Sequence, residues 1–235
     1  MNIPTVKNVR AFFEGELRAK NFTTDKTGAK TIEWIGASFI ADEPAIFGKP
    51  NNEYIMKEIE WYEKQSNNIN DIFGEDRDPP AAWKYAANSD GLINSNYGLL
   101  IFSEQYGNQY EKVLNELLNN PDGRRAEMVY QRPTIWTEFN EDGKSDFICT
   151  NGVTYYIRNK KMYAVVQMRS NDVVFGYKND FAWQKYVLRK LCDDINRQTE
   201  TIDDVITPST IYWQVQNLHV YERHFDLIRN DWDVE

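Results

Sequence analysis

The pattern that most constrains this chain lies in its second half, where two β-rich runs are followed at once by a helical stripe. Thr154–Ile157 and Tyr163–Met168 flank Arg158-Asn159-Lys160-Lys161, and this spacing predicts a hairpin. Trp183, Val187 and Leu191 then recur at helical spacing, which predicts a helix over about Asp180 to Asp194. Earlier, Val9, Phe12, Phe13 and Leu17 share a helical face, as do Ile55, Ile59 and Tyr62, which put Glu58 beside an apolar edge. Tyr110, Val113, Leu114, Leu117 and Leu118 form a further stripe, halted by Asn119-Asn120 before Pro121. Thr31–Ala41 reads as a strand whose Gly36 marks a bulge or a close approach, and Ile211–Val215 and His219–Tyr221 read as two short late strands. Helices and strands follow one another without regular βαβ alternation, so the fold class is α+β with a mixed, largely antiparallel sheet packed by helices.

Length and charge narrow the classes of function. The 235 residues, 41% hydrophobic and 14% aromatic, suit one domain over 1–235 with a sizeable core. Gln65–Asp90 is punctuated by Asn, Gly, Asp and Pro and reads as a surface excursion within it. No apolar run is long enough to span a membrane, and Met1-Asn2-Ile3-Pro4 lacks the layout of a signal peptide, so a cytoplasmic chain with no membrane partner is expected. A net charge of −9 disfavours general nucleic-acid binding but leaves room for a small anion where a few basic residues converge.

Single residues leave alternatives open. Cys149, in Asp146-Phe147-Ile148-Cys149-Thr150-Asn151, is either a small buried hydrophobe or a nucleophile activated from elsewhere in the fold. Arg124-Arg125, after Asn120-Pro121-Asp122-Gly123, are either solvated surface or a phosphate fork. Cys149 and Cys192 are too far apart for the paired-cysteine spacing of zinc sites, so His219 and His224 are not expected to hold a metal.

Taken in order, these pieces resemble the thymidylate synthase family. The likeness runs from Asp25-Lys26-Thr27-Gly28 through Glu58-Ile59-Glu60-Trp61, Tyr97-Gly98, Arg124-Arg125, Cys149, Arg169-Ser170-Asn171-Asp172 with Gly176, to His219-Val220-Tyr221. Longer blocks, among them Ile35-Gly36-Ala37-Ser38-Phe39, Ile93–Gly98 and Met168–Gly176, resemble its deoxycytidylate hydroxymethylase branch from T-even bacteriophages. The resemblance implies Cys149 as nucleophile, Glu58 as the residue that orients water and moves protons, and Tyr97 lining the site. It implies Lys26, Arg124, Arg125 and Arg169 on the nucleotide phosphate and Ser170 as a further substrate contact, with the Arg124-Arg125 pair lent to the neighbouring subunit of a homodimer. His219 and Tyr221 would hold the deoxyribose, and Asp172, Trp83 and Glu58 would meet the cosubstrate, 5,10-methylenetetrahydrofolate, with no metal.

Departures from the synthase pattern point to the base. Asp180 stands where synthases carry an asparagine that reads uracil. A carboxyl group can accept from the cytosine amine and share a proton with N3, so the substrate implied is dCMP, although Asp180 could also be an N-cap of the helix after it. Thr150 and Ala86 replace a histidine and a second tryptophan, and the chain ends Asp231-Trp232-Asp233-Val234-Glu235 without an apolar tail. These changes leave more room for water beside the reactive carbon. The expectation is therefore a deoxycytidylate 5-hydroxymethylase, with a dCMP or dUMP methyltransferase, a non-catalytic RNA-binding relative, or a subunit working with other phage nucleotide-precursor enzymes as the alternatives.

Overall fold

The computed structural model describes residues 3–198 and 204–230, so the C-terminal Asp231–Glu235 lies outside the described residues. In chain order the helices and strands are α1 (Val6–Ala19), β1 (Thr23–Thr24), β2 (Lys30–Ile40), α2 (Asn52–Glu63), α3 (Ala81–Ala86), α4 (Tyr97–Phe102), α5 (Gln109–Asn119), β3 (Glu127–Val129), α6 (Ile135–Glu138), β4 (Thr150–Arg158), β5 (Lys161–Asp172), α7 (Gly176–Asn196), β6 (Thr207–Tyr221) and α8 (Phe225–Asn230), with short 3-10 turns between some of them. Among the described residues no helix is long and apolar enough to cross a membrane. The chain gathers into two compact units, Met1–Pro50 with Ile157–Glu235, and Asn51–Tyr156.

In the first unit the strands lie in the order β1-β2-β6-β5. β1, β2 and β6 pair antiparallel, while β5 runs parallel to β6. The α+β class with a mixed sheet follows. α1 covers this unit through Val6, Val9, Phe13 and Leu17, each at most 5% exposed, and each such burial stabilises by about 1.5–3 kcal/mol. Between β4 and β5 only Asn159 and Lys160 intervene, both at positive φ (50° and 58°), as a two-residue hairpin turn requires.

Three sequence expectations change here. The two late strands are one, β6, because the polar residues Gln216 and Asn217 continue the ladder opposite β2 and β5. Gly36 is neither a register-shifting bulge nor a close approach. Ile35 pairs with Asn217 and Ala37 with Val215, so register is kept, and an added Cβ would meet nothing within 4 Å. What the position demands is its φ of +72°, which glycine adopts without strain. That conformation reverses the pleat: Ile32 is buried before it, Ala37 and Phe39 after it, so the parity switches. β6 switches in step, from Val215 to Leu218, and β5 from Met168 to Asn171. The register aligns the three switches, since Ile35 pairs with Asn217 and Asn217 with Ser170. Third, α7 begins at Gly176, four residues before the predicted start, because Asp172 Oδ1 already accepts from the amides of Val174 (2.9 Å), Phe175 (2.6 Å) and Gly176 (3.4 Å).

In the second unit β3 pairs antiparallel with β4, Met128 opposite Val153, and α2 packs on α4. The Gln65–Asp90 stretch holds more structure than its composition suggests: Ile69 and Ile72 are buried, and Asn68 bridges to Leu92. The α2–α4 approach depends on Gly98, where an added Cβ would sit 1.8 Å from the Tyr62 carbonyl oxygen. A chemical-denaturation pair tests this. Gly98→Ala should lower stability by about 3 kcal/mol or more through that overlap. Gly15→Ala, exposed within α1 with nothing within 4 Å, should raise it by about 0.5–1 kcal/mol.

Candidate active site

The second unit carries Glu58, Trp83, Tyr97, Arg124, Arg125 and Cys149; the first carries Lys26, Arg169, Ser170, Asp172, Asp180, His219 and Tyr221.

Glu58 sits on the inner face of α2, 5% exposed. The i,i+4 spacing stacks Tyr54 over it, and the Tyr54 hydroxyl donates a short hydrogen bond to Glu58 Oε1. Trp83 Nε1, from α3, donates both to Tyr54 Oη (2.8 Å) and to Glu58 Oε1 (3.1 Å). Burial pushes the Glu58 carboxyl up from 4.5 to about 7, against the smaller opposing pull of the Tyr54 and Trp83 bonds. A carboxyl balanced near neutrality both takes and gives protons, which is what general acid–base work needs.

Tyr97 opens α4, 5% exposed, with its ring against Tyr62 (5.4 Å) and Tyr130 (5.1 Å). Thr150 Oγ1 hydrogen-bonds the Tyr97 hydroxyl at 2.9 Å. Thr150, next to the thiol in sequence, therefore ties that segment to Tyr97. Cys149 is half-buried just before β4, with Sγ 3.8 Å from the Phe147 carbonyl oxygen. Its segment is held from both sides. Gln131 Nε2 donates to the Ile148 carbonyl (2.9 Å), and the Tyr130 amide donates to that of Asn151 (3.0 Å). Asp146, 7% exposed, accepts from the amides of Asn94 (2.7 Å) and Ser95 (2.8 Å) and from the Ser95 hydroxyl (2.8 Å). Cys149 is thus not the fully buried core cysteine of the bland reading. Cys192 is the buried one, and burial pushes its thiol up to about 12.

Arg124 and Arg125 are both exposed on the loop after α5. Arg125 pairs with Glu116 at 3.1 Å, so within one chain the pair is a solvated surface.

In the first unit the kinked strands line up the expected nucleotide residues. Ser170 stands opposite Asn217 and Asp172 opposite His219, and paired residues share a face of the sheet. The His219 and Tyr221 rings meet edge to face at 5.1 Å. Asp180 lies inside α7, one turn beyond Gly176, which corrects its reading as an N-cap. Its Oδ2 accepts from Asn171 Nδ2 at 2.8 Å. The amide orientation is fixed, because Trp213 Nε1, a donor only, meets Asn171 Oδ1 at 3.2 Å. Gly176 leaves room for this bond: a Cβ there would lie 3.0 Å from Asn171 Nδ2. Asp172 combines its helix-capping Oδ1 with an Oδ2 that is buried and has no hydrogen-bond partner. Lys26 is exposed in the β1–β2 loop, whose shape Asp25 fixes by accepting from Thr27 and Ala29 amides (2.8 and 3.0 Å).

Tyr54, Asp146 and Asn217 were given no role in the sequence reading, and Asn171 entered it only as part of the quartet Arg169-Ser170-Asn171-Asp172. Tyr54 alone carried a signal, its helical spacing from Glu58; the others act through partners distant in sequence.

Across residues 17–233 the chain matches the family described as Thymidylate synthase, and it belongs to that family. It is 52% identical to the deoxycytidylate 5-hydroxymethyltransferase of Enterobacteria phage T2, over 98% of this chain and 92% of that one. It is 53% identical to the protein of that name from phage T4, over 97% of this chain and 91% of the relative. A thymidylate synthase of Fusobacterium nucleatum is 28% identical over 95% of this chain and 78% of its own length.

The raised Glu58 value has a consequence for stability. Folding must keep this carboxyl neutral, so the folded state binds the extra proton between pH 4.5 and about 7. Stability is therefore fully present below 4.5 and is lost as pH rises through 7, by roughly 3 kcal/mol in all. Glu58→Gln, which stays neutral, should gain stability relative to the parent by about that amount between pH 4.5 and pH 8 in urea unfolding.

Proposed function

We propose that this chain is a deoxycytidylate 5-hydroxymethyltransferase, working as one catalytic domain that joins a one-carbon unit and water to C5 of dCMP. The observation that carries the reading of the base is Asp180, a carboxyl oriented by Asn171 where the family's uracil readers have an amide. An asparagine donates to uracil O4 and accepts from N3–H. Cytosine reverses both, and a carboxyl sharing one proton satisfies its amine and N3 together. The near full-length identity to deoxycytidylate 5-hydroxymethyltransferases supports the same choice.

In this reading Cys149 thiolate adds to C6 of the pyrimidine, which raises electron density at C5. Bound 5,10-methylenetetrahydrofolate supplies the one-carbon unit and leaves as tetrahydrofolate. The orphaned, buried Asp172 Oδ2 is an acceptor suited to a pterin N–H, and Trp83 offers an aromatic face beside Glu58. Glu58 as carboxylate then takes a proton from water while the hydroxyl adds to the exocyclic carbon, and re-formation of the C5–C6 double bond expels the Cys149 thiolate. Both water and the C5–H contribute one hydrogen to the two amines of tetrahydrofolate, so the atoms balance without a hydride. Tyr97, tied to Thr150, lines this chemistry. Lys26, Arg169, Ser170 and the Arg124-Arg125 pair of a neighbouring subunit grip the phosphate, and His219 and Tyr221 the sugar hydroxyl, a local basic cluster on an acidic chain.

Incubation with dCMP and methylenetetrahydrofolate should give a nucleotide heavier by one CH2O unit, with no dihydrofolate absorbance. A product heavier by CH2, with dihydrofolate, would identify a methyltransferase instead. Asp180→Asn should lower the preference for dCMP over dUMP by on the order of 10³-fold in kcat/KM. Sedimentation equilibrium should give about twice 27.7 kDa, and a single 27.7 kDa species would refute the shared phosphate site.

A further inference from the structure

The hydrogen bonds around Glu58 are one-sided. Tyr54 Oη and Trp83 Nε1 both end on Oε1, and neither bond reaches Oε2. An oxygen that accepts two hydrogen bonds is the less basic of a carboxyl pair, so the acidic proton resides on the other. The tyrosine hydroxyl is itself fixed, because it accepts from Trp83 at 2.8 Å and must therefore direct its own proton at the carboxyl. Its ring is packed by Phe73 (6.2 Å), which Arg77 covers at 3.7 Å.

We propose that Tyr54 is a positioning residue for Glu58: by holding Oε1, it makes Oε2 the atom that exchanges a proton with water and sets the pH at which it does so. This rests on the reading of Glu58 as the residue that handles water. Tyr54 acts through Glu58. Several charged neighbours on α2 and α3 are engaged in ion pairs. On α2, Glu53 pairs with Arg77 (3.1 Å) and Lys57 with Glu60 (3.0 Å), and on α3 Lys84 pairs with Asp78 (2.5 Å). Burial, Tyr54 and Trp83 are the causes that act on the Glu58 carboxyl, and the bond from Tyr54 is the larger of the two that favour ionisation.

Removing the donor should leave Glu58 harder to ionise. The step that needs the carboxylate gives kcat a limb that rises with pH through the Glu58 value. In Tyr54→Phe this limb should move upward by about one pH unit, the equivalent of one hydrogen bond to a charged group. At pH 7 kcat should then fall about fivefold to tenfold, while KM for dCMP stays within about twofold. Placing 3-fluorotyrosine at position 54, a stronger donor of nearly the same shape, should move the limb down. A structural role alone would move kcat without moving the limb in opposite directions for the two variants. The inference is overturned if both variants keep the parent's limb, or if the fluorinated chain does so when Tyr54→Phe fails to fold. Infrared titration of the Glu58 carboxyl band, assigned by its loss in Glu58→Gln, reads the same shifts without turnover. If the parent makes no hydroxymethyl product, the functional reading fails, and the infrared shifts still decide the role of Tyr54.

Discussion

A carboxyl group buried on α2 is the constraint around which the second unit is arranged. An ionised carboxylate in an apolar setting is costly unless it is hydrogen-bonded, and Glu58 has two donors on one oxygen and burial on every side. The balance leaves it half-ionised near neutrality, where a proton moves in either direction at little cost. That balance needs α2 to lie close to α4, which Gly98 permits, and needs Trp83 to reach inward from α3. The cysteine segment is tethered to the same framework through Asp146, Ser95 and the Thr150–Tyr97 bond. One small residue and a few polar contacts thus set the positions of Glu58, Tyr97 and the Cys149 segment in this unit.

The first unit solves a different problem, the presentation of polar groups from a packed sheet. A strand that alternates without interruption keeps its polar residues on one face. Here three neighbouring strands reverse the pleat at one level, marked by Gly36, Gln216-Asn217 and Arg169-Ser170. Beyond that level Asn171 turns inward and Asp172 pairs with His219. Asn171 then spends both ends of its amide, one on Trp213 and one on Asp180, so the carboxyl proposed to read the base is oriented by the core. The same short run, Asn171-Asp172, also starts α7. Compact sequence blocks near Arg169 therefore encode strand reversal, helix start and the orientation of Asp180 together.

The sequence made α1, α2, α5 and most of α7 legible because their stripes are amphipathic, and α5 stands within a residue of its predicted stripe, whereas the short α3, α4, α6 and α8 carry no such stripe. The hairpin was legible because β-branched and aromatic runs flank a turn. β6 was misread as two strands since Gln216 and Asn217 break the apolar alternation where the pleat reverses. The start of α7 was missed because its cap, Asp172, lies upstream of a non-helical Val173-Val174, beyond where a cap is usually sought. Of the candidate site, the residues proposed to carry the chemistry were picked out through family resemblance, each ambiguous alone. The partners that tune them, Tyr54, Asn171 and Asp146, were hidden because a side chain's usefulness depends on what the fold brings against it. Trp83 was read as a cosubstrate contact, and its bonds to Tyr54 and Glu58 became visible only in three dimensions.

The central proposed step is a covalent bond between Cys149 and a cytosine ring whose C5 hydrogen is then lost. 5-Fluoro-dCMP tests this directly, since fluorine at C5 cannot leave as a cation and the reaction must halt with the sulfur still attached. With methylenetetrahydrofolate present, intact-protein mass spectrometry should show one nucleotide and one folate added per chain, mapped to the peptide containing Cys149. An unmodified mass under conditions that turn over dCMP, or an adduct on any other peptide, would contradict it.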